Sequence, residues 1–337
     1  MKLIFTFLFS ALSLAISAQT AEVDSLVRLG IDLYDADKYD SAFIIYNQAL
    51  ALEPNSPLVN YEIGLNYKAQ DKDSMALIFA EKVLSLGQEY QLEATVLKGS
   101  SLDDLGRRAE SIEWFKAALK TFGDQPVLYF NLGMDYYRDN KLENARFCAE
   151  KALSLNFGHR SSHFLLGLVL SDQGYRSQSV MALSYFLLLE PSTSRSVSAF
   201  NVLSEEMKGN VTVDSANNNK IQILVSESHQ EDEFSSTDLM ISLLNAQRYE
   251  AENVGRSELD MLFDNLGKVY RTWGEQKKKK STGMYWEGYV SILSKIANSP
   301  HLDTYLHYIA QASVPASKEW LENNPDKLNA MAEWFKK

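Results

Sequence analysis

The sequence predicts an all-α chain: an α-solenoid of about five helix-turn-helix repeats, then a C-terminal helical domain with at most one short strand. Two observations carry this. Gly30, Gly64, Gly99, Gly133 and Gly167 follow one another at intervals of 34, 35, 34 and 34 residues, and four such hits by chance have a probability on the order of 10⁻⁵. The stretches around these glycines and after them are apolar with a period of three to four residues, as in "YDSAFIIYNQALALEP" at 39–54 and "YRSQSVMALSYFLLLEP" at 175–191.

The N-terminal segment stands apart. Residues 1–18 carry one cation, Lys2, an apolar run from Leu3 to Ile16, and the small residues Ser17 and Ala18. That is the layout of a secretory signal cleaved after Ala18, and the run is short of the ~20 residues that span a bilayer. The reading is therefore an exported chain, in the periplasm or secreted, with no transmembrane anchor after cleavage. A single cysteine, Cys148, offers no internal disulfide. Among 337 residues, 45% are hydrophobic and 23% charged, ordinary for a packed globular chain. A net charge of −11 argues against a nucleic-acid partner. The one basic run, Lys277 to Lys280, reads as a solvated helix exit.

Within residues 23–191 each glycine sits inside an amphipathic stretch, where it costs roughly 1 kcal/mol relative to alanine. Close approach of a second helix offsets that cost. Twelve residues after the glycines come Ala42, Ala76, Ser111, Ala145 and Ser179, and seven further on Ala49, Val83, Ala118, Ala152 and Phe186. These mark the facing surface of the second helix. Seven residues after each glycine stand Asp37, Asp71, Gly106, Asn140 and Gly174, all types that tolerate a left-handed helix exit. Leu33, Tyr67, Leu102, Tyr136 and Leu170, with Tyr46 and Phe115, fill the space between.

This pattern resembles the tetratricopeptide repeat, a 34-residue helix-turn-helix. The family's early tryptophan slot holds Leu26, Asn60, Thr95, Tyr129 and His163, and its closing proline survives as Pro54 and Pro191. The resemblance implies a superhelix whose inner wall is lined by the first helix of every repeat. The wall residues it points to are Val27, Ile31, Tyr61, Leu65, Val96, Ser100, Phe130, Met134, Phe164 and Leu168, nine of them apolar; Tyr137 joins them as a candidate contact. Family members that grip a carboxylate-ended peptide carry Lys, Arg and Asn there, so that ligand class is disfavoured. An apolar wall has two readings: a groove for a protein or peptide partner in the cell envelope, or a surface covered by another part of this chain.

Residues 192–208 read as a capping helix, with Asn201 in the glycine slot, and 209–236 as an Asn-, Ser- and acid-rich linker with a possible strand at Ile221–Val225. Residues 237–337 return to helical period. Ser257 with Asp260 offers a capping-box-like start, and stripes run through Leu259, Phe263, Leu266, Tyr270 and Trp273, then Trp286, Tyr289, Val290, Leu293 and Ile296. No phosphate loop, nucleophile elbow or H-E-x-x-H is present. His159 and His163 have helical metal-ligand spacing but lack a third ligand, and Asp35, Asp37 and Asp40 lack the glycine and glutamate of a calcium loop. Cys148 beside Ala149 reads as a buried thiol. The expectation is a binding protein without metal or cofactor; the alternative is an enzyme or small-ligand binder with its site in residues 237–337.

Overall fold

The computed structural model describes residues 20–87, 89–214, 220–223, 232–253 and 255–336. The leader and its cleavage point lie outside the described residues. The chain divides into two compact units, one ending at Asp135 and the other beginning at Tyr136. This division falls inside the fourth repeat, whereas the sequence placed its boundaries between residues 191 and 237.

The first unit consists of α1 (20–35), α2 (Tyr39–Leu52), α3 (Pro57–Lys68), α4 (Asp73–Leu86), α5 (Gln91–Asp104), α6 (Arg108–Phe122) and most of α7 (Pro126–Arg138). Its first core joins Val23, Val27, Ala42, Tyr46, Ala49, Val59 and Ile63. The glycines act as docking points. A Cβ on Gly30 would lie 2.3 Å from the Tyr46 ring, and one on Gly99 would lie 2.2 Å from Phe115, each sixteen residues on along the second helix. At Gly64 that position is Ala80, and Leu97 from the following hairpin takes the space, 2.7 Å from a would-be Cβ. Where the small residue of the second helix is a serine, it also makes a bond: Ser111 Oγ donates to Gly99 O at 2.8 Å.

All five hairpins, in both units, turn the same way. Asp37, Asp71, Gly106, Asn140 and Gly174 have φ between 54° and 81°. Each donates its N–H to the carbonyl three residues back, and the next N–H reaches back five, as Lys38 N to Leu33 O at 2.9 Å and Tyr175 N to Leu170 O at 2.8 Å. This paired bonding satisfies the orphan carbonyls of the first helix and fixes its exit.

The second unit begins with the last turn of α7 and continues through α8 (Leu142–Leu155), α9 (Arg160–Asp172), α10 (Arg176–Leu189) and α11 (Ser194–Glu206), the last capped by Thr193 with Ser196. Gly167 again docks a second-helix side chain, Leu183, and Ser179 Oγ donates to Gly167 O at 2.8 Å. Two antiparallel strands follow, β1 (Val211–Asp214) and β2 (Lys220–Ile223), paired from Val211 with Ile223 to Asp214 with Lys220. This corrects the expectation of at most one strand. The second apolar run is what the sequence displays, but strand pairing needs backbone donors and β-branched residues more than hydrophobicity, and Val211-Thr212-Val213 supplies both.

Then come α12 (Ser235–Ala246), two 3₁₀ turns (Gln247–Tyr249 and Ala251–Asn253), α13 (Glu258–Gln276), a π-helical turn (Met284–Val290), α14 (Ser291–Ala297), α15 (Leu302–Ala310), α16 (Pro315–Asn323) and α17 (Pro325–Phe335). Ser257 caps α13 by accepting from Asp260 N at 3.0 Å. The wide turn departs from the regular helix its apolar period suggests. It buries Trp286, Tyr289 and Val290 together, and Gly288 within it leaves room for the Phe157 ring.

These C-terminal elements close on α10. Helices α12 and α15 and the π-helical turn all pack against it, so that Val180, Met181, Ala182, Leu183, Phe186 and Leu187 are fully enclosed. Polar ties fix the register: Tyr305 Oη donates to Ser184 O at 3.0 Å, Ser184 Oγ pairs with Tyr270 Oη at 2.7 Å, and Asp238 accepts from Ser177 N at 2.8 Å and Ser177 Oγ at 2.5 Å.

Candidate functional site

The wall residues of the first unit are Val27, Ile31, Tyr61, Leu65, Val96, Phe130 and Met134. Val27 is only 3% exposed and belongs to the first core, so it is a packing residue and offers no contact surface. The other six are half-buried. Part of each apolar surface fills the seam between hairpins, as Ile31 does against the first core and Tyr61 and Leu65 against Ala76, Ala80 and Leu97; the remainder faces solvent. The apolar character that the sequence displays thus has two uses at once.

Around Tyr61 the surface is acidic. Tyr61 stacks on Tyr90 with ring centroids 5.7 Å apart. Burial, then Glu62 and Glu93, push the Tyr61 hydroxyl up to about 12. Burial also raises Glu62 itself, which accepts from Tyr46 Oη at 3.4 Å. Lys68, three residues after Leu65, is engaged by Asp73 at 2.5 Å and by Asp104.

In the second unit the wall residues are Tyr137, Phe164 and Leu168, all half-buried. Tyr137 is pushed up to about 12, chiefly by burial and then by its hydrogen bond to Asp172. Phe164 packs on Phe186 at 5.0 Å, and the Arg195 guanidinium lies over both rings, at 5.9 and 5.5 Å. Arg195 is held there by Glu190, at 3.0 and 2.6 Å, and by Ser161 at 2.9 Å. The C-terminal helices pack on α10, the second helix of this repeat, and leave Phe164 and Leu168 on its first helix partly open.

His163 and Cys148 are packing residues. His163, in the tryptophan slot, is fully buried: Nε2 meets Phe157 O at 2.6 Å and Nδ1 meets Tyr289 Oη at 2.7 Å. The carbonyl can only accept, so Nε2 carries the proton and Nδ1 accepts from the tyrosine. Burial depresses this imidazole to about 4, which keeps it neutral. His159 precedes α9 and pairs with Ser162. Burial raises the Cys148 thiol to about 12, so it is no nucleophile at neutral pH. Among the described residues no cluster of three His, Cys, Asp or Glu could hold a metal, and no helix is long and apolar enough to cross a membrane.

A cleft of about 240 Å³ lies in the second unit among Met207, Arg248, Leu259, Leu262, Asn265 and Val314. Asp238, Tyr270, Tyr289 and Tyr305, whose ionisation burial perturbs, sit in helix-packing interfaces instead. Sequence reasoning missed the cover on α10 and the tyrosine pair. The first has a signal, the almost unbroken apolar run from Val180 to Leu189, which a helix exposed on one side does not need. The second has none, because Tyr90 falls between repeats.

Models of the tetratricopeptide repeat match residues 92–122 and 126–159. A TPR repeat-containing protein of Methanocaldococcus jannaschii, MJ1428, is 27% identical over 124 residues, covering 37% of this chain and 22% of its own length. This chain therefore spans about a fifth of that relative. Similar solved structures include TTC0263, a thermophilic TPR protein of Thermus thermophilus, with 17% identity, a TM-score of 0.49, and coverage of 54% of this chain and 98% of the other. PilW, a type IV pilus biogenesis factor, has 14% identity, a TM-score of 0.49, and coverage of 71% and 97%.

Proposed function

We propose, from the premise that the chain is a tetratricopeptide-repeat protein, that it is an exported adaptor holding a protein or peptide partner of the cell envelope on the first-helix faces of its repeats. Tetratricopeptide repeats are protein-interaction scaffolds rather than catalysts, which favours binding over chemistry. The observation that carries the location is the treatment of α9 and α10 in one hairpin. Helix α10 is enclosed by the chain's own C-terminal elements, whereas Phe164 and Leu168 on α9 stay partly open. Half-exposed apolar side chains recurring at one helical phase suit an amphipathic or extended segment. The leader reading of residues 1–18 supports export, and a chain without disulfides is stabilised by the packing described above.

Site-specific photocrosslinking tests the face. Crosslinkers at Leu65, Met134 and Leu168 should capture a common partner from envelope extract, and crosslinkers at Ile44 and Ile78 on the second helices should not. Capture from the second-helix positions alone would overturn the proposal. Export has its own readout: the purified protein should begin at Gln19 and fractionate with the envelope. The alternative, a small-ligand or catalytic site in residues 237–337, has the 240 Å³ cleft in its favour; unchanged capture after Leu262→Trp, which fills that cleft, would set it aside.

A further inference from the structure

The wall position three residues before the repeat glycine is aromatic at Phe164 in the second unit and at Tyr61 and Phe130 in the first. At Phe164 the chain supplies a guanidinium of its own. Arg195, from the helix that follows the hairpin, lies over the ring and is anchored by the Glu190 carboxylate. At Tyr61 the corresponding place is taken by Tyr90, the residue entering the next helix, stacked at 22° to Tyr61. The carboxylates are there, and among the described residues no cation lies over either ring. Glu62, Glu89 and Glu93 all act on the Tyr90 hydroxyl; Glu89 and Glu93 are exposed, and no ion pair to any of the three exists among the described residues.

Tyr90 is also held in an unusual backbone. Among the described residues four non-glycine residues have positive φ, and three of them, Asp37, Asp71 and Asn140, are the tolerant types at hairpin exits. Tyr90, at φ 63°, is not such a type, and the left-handed region costs a residue with a bulky side chain roughly 1–2 kcal/mol. The conformation places its ring on Tyr61. Two half-buried tyrosine faces with unneutralised carboxylates beside them attract a desolvating cation, by the ring quadrupole and by charge together.

We infer that Tyr61 and Tyr90, framed by Glu62, Glu89 and Glu93, form a subsite for an arginine or lysine side chain of the bound peptide, doing in trans what Arg195 does in cis at Phe164. This rests on the first-helix face being the binding face, and it names the partner segment as basic and apolar rather than acidic. It fits the chain's own charge of −11.

The test uses the whole chain and fluorescence anisotropy with labelled, end-capped peptides of about twelve residues alternating leucine pairs with arginine, with glutamine, or with glutamate. The arginine peptide should bind about tenfold more tightly than the glutamine peptide. Tyr90→Gly, which keeps the left-handed backbone without strain and so folds, should remove most of that preference and leave glutamine-peptide affinity unchanged. Tyr61→Leu should also remove most of the arginine preference, and Glu93→Gln should weaken the arginine peptide about twofold. An arginine preference that survives both tyrosine substitutions, or glutamate-peptide binding as tight as arginine-peptide binding, overturns the inference. If the glutamine peptide binds and crosslinks from Leu65 while no arginine preference exists, the subsite fails and the binding face stands. If no peptide binds and the wall crosslinkers are blank, both fail.

Discussion

One position, fourteen residues after the repeat glycine, is occupied by Ile44, Ile78, Glu113, Phe147 and Met181 on successive second helices. Ile44, Ile78 and Phe147 are 60%, 56% and 62% exposed, and Met181 is fully buried. The helix-turn-helix and its left-handed exit are the same in each case. What differs is that α12, α15 and the π-helical turn lie on α10, so a surface position elsewhere becomes core in the fifth repeat. A repeat thus specifies its own fold but not its outer face, which depends on what the rest of the chain brings to it.

Four measurements break or sharpen that contrast. The largest effect should come from Met181→Asp, which buries an unpaired charge and should cost about 3–5 kcal/mol or prevent folding, while Ile78→Asp should change stability by no more than about 0.5 kcal/mol in denaturant titration. Equal costs would mean that α10 is not enclosed.

The second concerns pH, and Asp238 and His163 in the second unit titrate in opposition. Asp238 is raised to about 6, chiefly by burial, above its ordinary 3.8. The folded state therefore holds a proton the unfolded state releases, and this group's contribution to stability grows as pH falls from about 6 to about 4. His163, depressed to about 4 from 6.5, works the other way: the unfolded state takes the proton first, and stability is lost over nearly the same window. Each shift corresponds to about 3 kcal/mol. Asp238→Asn should make stability fall more steeply on acidification than in the unmodified chain, and His163→Gln should make it rise; parallel pH profiles for all three proteins would contradict both assignments.

Third, Gly99→Ala puts a methyl into the Phe115 ring and should cost about 1–3 kcal/mol despite the better helix former, with Phe115→Leu recovering part of the loss in the double variant. Smallest, Gly106→Ala has open space but φ 77°, and thermal melting should show a loss of roughly 1 kcal/mol from backbone strain alone.

The repeat itself is legible because each of its rules is local. A left-handed exit demands Asp, Asn or Gly at its own position, and a docking point demands a missing side chain one helix earlier, so both appear as residue types at fixed offsets. Ser257 as the cap of α13 and the buried state of His163 and Cys148 are legible for the same reason. The candidate wall is legible only in part. Its apolar residues can be located by phase, but whether a residue is core, as Val27 is, or half-open, as Tyr61 is, depends on a neighbouring hairpin whose distance the pattern does not contain. Strand β1 was hidden because its pairing partner is a later segment.

From residue identities alone follow the five hairpins, their turns, the helical character of the remainder and the packing roles of His163 and Cys148. These depend on contacts within about one repeat length, where spacing along the chain is spacing in the molecule. The enclosure of α10, the tyrosine pair over a strained backbone and the cation seated on Phe164 were decided only on folding, because long-range packing and burial set them, and neither is a property of any one residue.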